Sequence, residues 1–156
     1  VIQRRHRWKL LKLQHITDLF RHDASYLDRL RIIQTPWGGI FLHRINLNDG
    51  DRHLHNHPWK GGFVSIILKG GYTEEWAHDI LDATKGPISL RTWKRWSIHR
   101  LRNEEYHSIR KLLRTPTWTL LIVGSDIKSW GYATEIGWVD ANTYHALRRD
   151  FVGVVS

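Results

Sequence analysis

The chain has 156 residues, enough for one domain around one core. It is 41% hydrophobic, has no apolar run near the roughly eighteen residues that a helical membrane span needs, and has no cysteine, which excludes disulfides and thiolate chemistry. Lysine plus arginine outnumber aspartate plus glutamate by 24 to 15, and the net charge of +9 favours anionic partners such as nucleotides, acidic metabolites or nucleic acid.

The basic opening, Val1 to Trp8, is not followed by an uninterrupted apolar core, so no secretory signal is read there. A cysteine-free chain of this kind fits a cytoplasmic location. Leu10, Leu11, Leu13, Ile16, Leu19 and Phe20 have a roughly helical spacing, which predicts a short helix or an irregular lead-in over residues 1–25. Tyr26 to Ile33 alternates as a strand does. Ile40 to Leu47 reads as a strand closed by the turn Asn48-Asp49-Gly50-Asp51. His53 to His57 alternates strictly, Phe63 to Lys69 is a buried-looking strand, and Gly70-Gly71 turns the chain back into Tyr72 to Trp76. Further strands are predicted at Ile88 to Trp93, Trp96 to Leu101 and Trp118 to Val123. Short ones follow at Trp130 to Ala133 and Trp138-Val139, before a terminal helix at Asn142 to Arg149. Residues 26–139 thus form an all-β sandwich or barrel, a jelly roll being one solution, with 140–156 as a C-terminal segment.

The strongest chemical signal is Gly50-Asp51-Arg52-His53-Leu54-His55-Asn56-His57-Pro58. Side chains alternate along a strand, so His53, His55 and His57 would share one face. Three imidazoles on one face either meet water or share a ligand. Two of them can reach one metal ion while a third ligand arrives from a neighbouring strand. His99, in Trp96 to Leu101, alternates in a second short strand and is the expected third ligand.

The stretch resembles the two motifs of the cupin family. Gly50, His55-Asn56-His57 and Gly70 match the first motif in order, with His53-Leu54-His55 as an alternative register. His99 and Asn103 match the second. The match spans about a third of the chain, Gly50 to Asn103. It departs from the pattern twice. No carboxylate stands at Trp59-Lys60-Gly61-Gly62, where the first motif carries a glutamate, and the second motif's Pro-x-Gly is replaced by Lys94-Arg95-Trp96. The resemblance therefore implies a cupin-type jelly-roll barrel with the three-histidine metal site of thiol-dioxygenase-like cupins. The overall texture of Tyr26 to Glu75 also resembles a small cupin group of phage and bacterial genomes. Glu74 or Glu75, on the returning strand after Gly70-Gly71, is a candidate late carboxylate, and His53 a candidate fourth ligand or proton shuttle. An all-imidazole site suits iron first, with zinc, nickel or copper as alternatives.

His43 and Arg44, on Ile40 to Leu47, and Arg52, beside the histidine run, are candidate ligand-binding residues, as are Glu74 and Asn103. Arg29, Arg31, Arg44, Arg52 and Arg100 lie on or beside predicted strands; one on an inward face would need a carboxylate or phosphate partner, but an outward face is the expectation for each alone. His107, after Glu104-Glu105-Tyr106, reads as a surface residue, and Trp130-Gly131-Tyr132 and Gly137-Trp138 as core plugs closing one barrel end. Arg91, Lys94, Arg95, Arg100 and Arg102 interleave with Trp93 and Trp96, a pattern that can bind single-stranded nucleic acid or simply form a solvated face. The resemblance implies a mononuclear non-haem iron dioxygenase or related oxygenase acting on a small molecule, and a homodimer through sheet edges. The alternative is a non-catalytic barrel that binds an anionic ligand such as a nucleotide, or nucleic acid.

Overall fold

The computed structural model describes residues 9–18 and 24–153. The strands, in chain order, are β1 (Lys9–Asp18), β2 (Ala24–Thr35), β3 (Gly38–Ile45), β4 (Phe63–Lys69), β5 (Gly71–Ala77), β6 (Ser89–Lys94), β7 (Ile98–Leu101), β8 (Tyr106–Leu112), β9 (Thr117–Gly124), β10 (Gly131–Thr134) and β11 (Gly137–Asp140). A six-residue helix, α1 (Ile80–Lys85), follows β5, and α2 (Ala141–Gly153) follows β11. Asp79 caps α1 by accepting from the N–H groups of Leu81 and Asp82 at 2.8 and 2.9 Å. Among the described residues, no helix is long and apolar enough to cross a membrane.

Six strands form one antiparallel sheet in the order β1-β2-β3-β9-β4-β7, and β6-β5-β8 form a second. His55 bridges both β8, through His107, and the hairpin β10-β11, through Tyr132, so a single residue joins that hairpin to the second sheet. The two layers make a jelly-roll sandwich with small helices, as the strand pattern predicts, although the sheets do not close into a continuous barrel.

The inner faces pack as apolar clusters around a polar seam. Phe41, Trp59, Phe63, Leu101, Leu121 and Val123 fill one end. Leu27, Ile45, Ile67, Tyr72 and Ile109 fill the other. Between them lie His43, Ser65, Glu74, His99, His107 and Thr119, all buried.

Several elements differ from the sequence reading. The leucine-rich start is a strand: β1 pairs with β2 from Lys9↔Gln34 to Asp18↔Ala24. Its residue spacing suits either structure, and cross-strand pairing decides it. The rest of the expected Arg4 to Phe20 segment lies outside the described residues. His53 to His57 is not a strand but a crossing segment with one bridging residue. β8 escaped the sequence reading because Tyr106, His107, Ser108 and Ile109 are all buried, which erases the alternation of a half-exposed strand. Of the expected core plugs, Tyr132 is buried at 3% exposure, whereas Trp130 and Trp138 are 38% and 41% exposed.

Ile67 is fully buried between the sheets, whereas Ile98, on edge strand β7, is 65% exposed. Ile67→Ala should cost about 2–5 kcal/mol of stability and Ile98→Ala about 0.5 kcal/mol or less, read from urea midpoints at unchanged slope. Equal losses would contradict the packing described.

Candidate metal centre

Two backbone facts build the site. His55 and His107 exchange both main-chain hydrogen bonds, each N–H donating to the other's carbonyl at 2.9 Å. Directly paired antiparallel residues project to the same side, so the two imidazoles meet, with ring centroids 4.8 Å apart. His57 follows two residues later. Asn56, between them, is 2% exposed and faces away; its Oδ1 accepts from the Gly131 N–H at 3.0 Å, and its own N–H donates to the Gly131 carbonyl at 3.0 Å. The His57 ring stacks on Trp59 with centroids 5.0 Å apart and 4° between planes, and Phe63 meets it edge-on.

His55, His57 and His107 thereby place one ring nitrogen each within 4.8 Å of one another. His57 Nε2 and His107 Nε2 are 2.9 Å apart. His55 and His57 are half-buried and His107 is buried, so the cluster opens on the His55–His57 side. His107 Nδ1 lies 2.7 Å from Glu74 Oε2, and Trp93 Nε1 donates to Glu74 Oε1 at 2.7 Å. Glu74 is fully buried. Burial pushes its pKa up, but the hydrogen bond and charge of His107, the charge of His99 and the Trp93 N–H together hold it below the ordinary carboxylate value. An ionised Glu74 accepts a hydrogen bond from His107 Nδ1, which leaves Nε2 as the ring nitrogen that meets His57.

Burial lowers the pKa of His55 to about 4. It holds His57 well below the ordinary value, helped by the neighbouring charges of His55 and His107. Neutral imidazoles are metal ligands and protonated ones are not, so His55 and His57 are in their ligating form at neutral pH. Two nitrogens about 2.0–2.1 Å from one ion at right angles stand about 3 Å apart, which matches the His57–His107 separation. The donor set therefore fits a divalent ion of the imidazole-preferring series.

A cavity of about 270 Å³ reaches His55, walled by Ile16, Tyr26, Asp49, Trp130 and Tyr132. Burial and Asp49 raise the Tyr26 pKa, and burial and Asp51 raise that of Tyr132, so both phenols keep their protons. They donate to Asp49 Oδ1 and to Asp51 Oδ2, the latter at 2.9 Å. Asp49 Oδ2 accepts from the Ile109 N–H at 2.6 Å.

The third imidazole beside His55 and His57 is thus His107 and not the expected His99. β7 belongs to the six-stranded sheet, where Ser65 pairs with His99, so that imidazole enters the interior from the opposite layer. It bonds the Tyr72 hydroxyl at 2.7 Å and stacks on Trp93 at 4.4 Å. His53 spends both ring nitrogens elsewhere, on the Tyr144 hydroxyl at 2.9 Å and Glu135 at 3.0 Å. Glu74 stands behind His107 rather than among the three ligating side chains. Arg44 is on the outer face with Asp28 at 3.4 Å, and Arg52 is exposed against Glu135 at 3.0 Å. Asn103 sits in the β7–β8 turn, its carbonyl accepting from Lys128 Nζ at 2.7 Å. His43 is buried and accepts from Arg29 Nε at 3.0 Å. The first motif's missing glutamate also has a structural reason. Gly61 and Gly62 have φ of +70° and +79°, and a Cβ on Gly62 would lie 1.8 Å from the Leu101 carbonyl oxygen, so no side chain fits there. His107 was missed because its strand shows no alternation. The signal that would have found it is a histidine in an apolar-flanked run directly after a turn.

No family model matches the chain, and no curated protein sequence is similar to it. Solved structures are. The FeII form of HppE aligns at 11% identity with a TM-score of 0.53, covering 73% of this chain and 56% of that one. The capsular polysaccharide assembling protein CapF from Staphylococcus aureus aligns at 16% identity with a TM-score of 0.54, covering 75% of this chain and 29% of that one. The chain thus spans little more than half of HppE and less than a third of CapF. At these identities the likeness shows the fold, the cupin-type jelly roll.

Burial lowers His43 to about 3, with the Arg29 charge assisting, and His99 to about 4. With His55 at about 4, these residues bind a proton less readily folded than unfolded, where the value is about 6.5. Their contribution to stability is complete above about pH 6.5 and is lost as pH falls toward their folded values, at up to ~1.4 kcal/mol per pH unit for each. Urea unfolding between about pH 7 and 4.5 should show this decline; a flat profile would contradict the buried neutral state.

Proposed function

We propose that the protein is a mononuclear metal-dependent enzyme of cupin fold, an oxygenase acting on a small molecule, with iron as the expected metal. The observation that carries this reading is the convergence of His55, His57 and His107 beside a cavity, with His107 fixed from behind by a buried carboxylate. Bound there, a divalent ion supplies Lewis acidity and, if iron, redox chemistry toward oxygen. The chain's own residues do the rest. The backbone pair with His107 orients His55, Trp59 and Phe63 confine the His57 ring, and Glu74 fixes the orientation of the His107 ring through Nδ1. Tyr26 and Tyr132 present protonated phenols at the cavity wall, and Trp130 with Ile16 narrows its access to water.

A second reading has its own observation. An open groove holds Lys69, Arg95 and Arg114, and the Arg95 guanidinium lies 4.8 Å from the ring centroid of Trp96, which is 63% exposed. Such a surface suits single-stranded nucleic acid, and a steeply salt-dependent affinity lost in Trp96→Ala would support it.

Elemental analysis of protein purified without an affinity histidine tag or chelator should find close to one equivalent of a transition metal, lost in a His55→Ala/His107→Ala variant. No metal in the wild type, even after anaerobic reconstitution with ferrous iron, would remove the enzyme reading. Glu74→Gln keeps a hydrogen-bonding side chain but removes the charge behind His107. Its metal affinity should fall about 10–100-fold in competition with a chromophoric chelator. An unchanged affinity would remove Glu74 from the site.

A further inference from the structure

The inner face of β2 carries two arginines that no carboxylate neutralises. Arg29 pairs across to His43 and Arg31 to Phe41, and both partners are buried between the sheets, so both arginines turn inward. Arg29 Nε donates to His43 Nε2 at 3.0 Å, and its guanidinium lies 5.6 Å from the Phe41 ring centroid. Neither contact supplies negative charge. Arg31 Nη1 reaches Gln34 Oε1 at 3.4 Å, while its Nε is buried with no hydrogen-bond partner. Lys12 stands opposite Arg31 on β1 and adds to the positive charge. Among the described residues no acidic side chain meets either guanidinium. Arg110 shows the ordinary arrangement, with Glu75 at 2.7 Å.

A half-buried guanidinium without a counter-ion is unusual. Desolvation penalises it, and its planar set of five donors suits the two oxygens of a carboxylate or phosphoryl group. The location matters as much as the charge. Arg29 feels the phenol of Tyr26, which walls the cavity, and its charge also acts on His57 of the imidazole cluster. The acids of that cavity do not compete for it: Asp49 is held by Tyr26 and the Ile109 N–H, and Asp51 accepts from Tyr132.

We infer that Arg29 and Arg31 form an anion-receiving subsite on the inner face of β2, and that the small molecule served by the imidazole cluster carries a carboxylate or phosphoryl group that they bind. With the anionic end on β2, the remainder of the molecule extends toward His55 and His57. The subsite lies on the inward face of β2, opposite the buried His43 and Phe41, and not on the basic outer surface. This second half rests on the metal-centre reading; the anion contact does not.

The test uses the full chain, both chelator-treated and cobalt-loaded, with inorganic phosphate and acetate as separate probes in calorimetric titrations at low chloride. One saturable site is expected for at least one probe, and the probe that binds identifies the head group. Arg29→Gln and Arg31→Gln should each weaken it about tenfold or more, as expected for lost charged hydrogen bonds. Arg29→Lys, which keeps charge but not the fork, should recover part of the loss, and Arg44→Gln on the outer face should change nothing. Absence of saturable binding of either probe to the folded wild-type chain overturns the proposal, as does equal binding by wild type and the folded glutamine variants. The His55→Ala/His107→Ala variant separates the two readings. Phosphate or acetate binding retained with metal lost supports the subsite. Metal retained by Arg29→Gln with anion binding unchanged overturns it and leaves the metal centre standing.

Discussion

The reciprocal hydrogen-bond pair between His55 and His107 is the constraint on which the rest of the site depends. It is the main-chain link by which the Leu54–Asn56 segment joins β8, and it sets two imidazoles side by side without using their side-chain atoms. On the other side, the Leu54 carbonyl accepts from the Ala133 N–H at 2.9 Å, so the segment behaves as a one-residue strand between β8 and β10. Regular pairing does not resume beyond His57, where Pro58 has no N–H to donate. Its carbonyl accepts from Ile127 instead, at 2.9 Å. Backbone atoms thus carry much of the positioning of the His55 imidazole.

Glu74 has a comparable place in the sandwich interior. A fully buried carboxylate is tolerable only when each oxygen is met, and here Trp93 takes one and His107 the other. Trp93 in turn stacks on His99, whose Nε2 meets the Tyr72 hydroxyl. One connected set of polar groups therefore runs from β7 through β5 and β6 to β8, between two apolar clusters. Its order follows from the sheet pairing: Glu74 is opposite Arg91 on β6 and Ile109 on β8, which brings its side chain within reach of both Trp93 and His107.

Much of this was legible in the amino-acid sequence. Strands separated by glycine turns gave the fold class, and the His55-Asn56-His57 pair singled out two of the three converging imidazoles. The third was lost for a reason of topology. β7 and β8 are neighbours along the chain, separated by one turn, yet they enter different sheets, and no local pattern says which of them faces His55. The same gap explains His43, whose importance comes from Arg29 across the β2–β3 ladder. β1 failed for a different reason: a leucine spacing compatible with a helix became a strand because β2 offered it a full set of partners. The empty position of the expected motif glutamate was visible in sequence, but its cause, the close approach of Gly62 to Leu101, was not.

The separation of the pieces along the chain bears on how the molecule comes to be built. His57 and His107 are 50 residues apart, and the contact that anchors Asn56 to Gly131 spans 75. Contacts this distant form late, because the loop between them must close before they contribute anything. On a ribosome, the histidine segment emerges long before the strand and hairpin that shape it. An ion present at that stage meets only a short peptide with loosely spaced imidazoles. Selectivity among metals must therefore be exercised by the finished sandwich, and β8 and β10 are the elements whose arrival completes it.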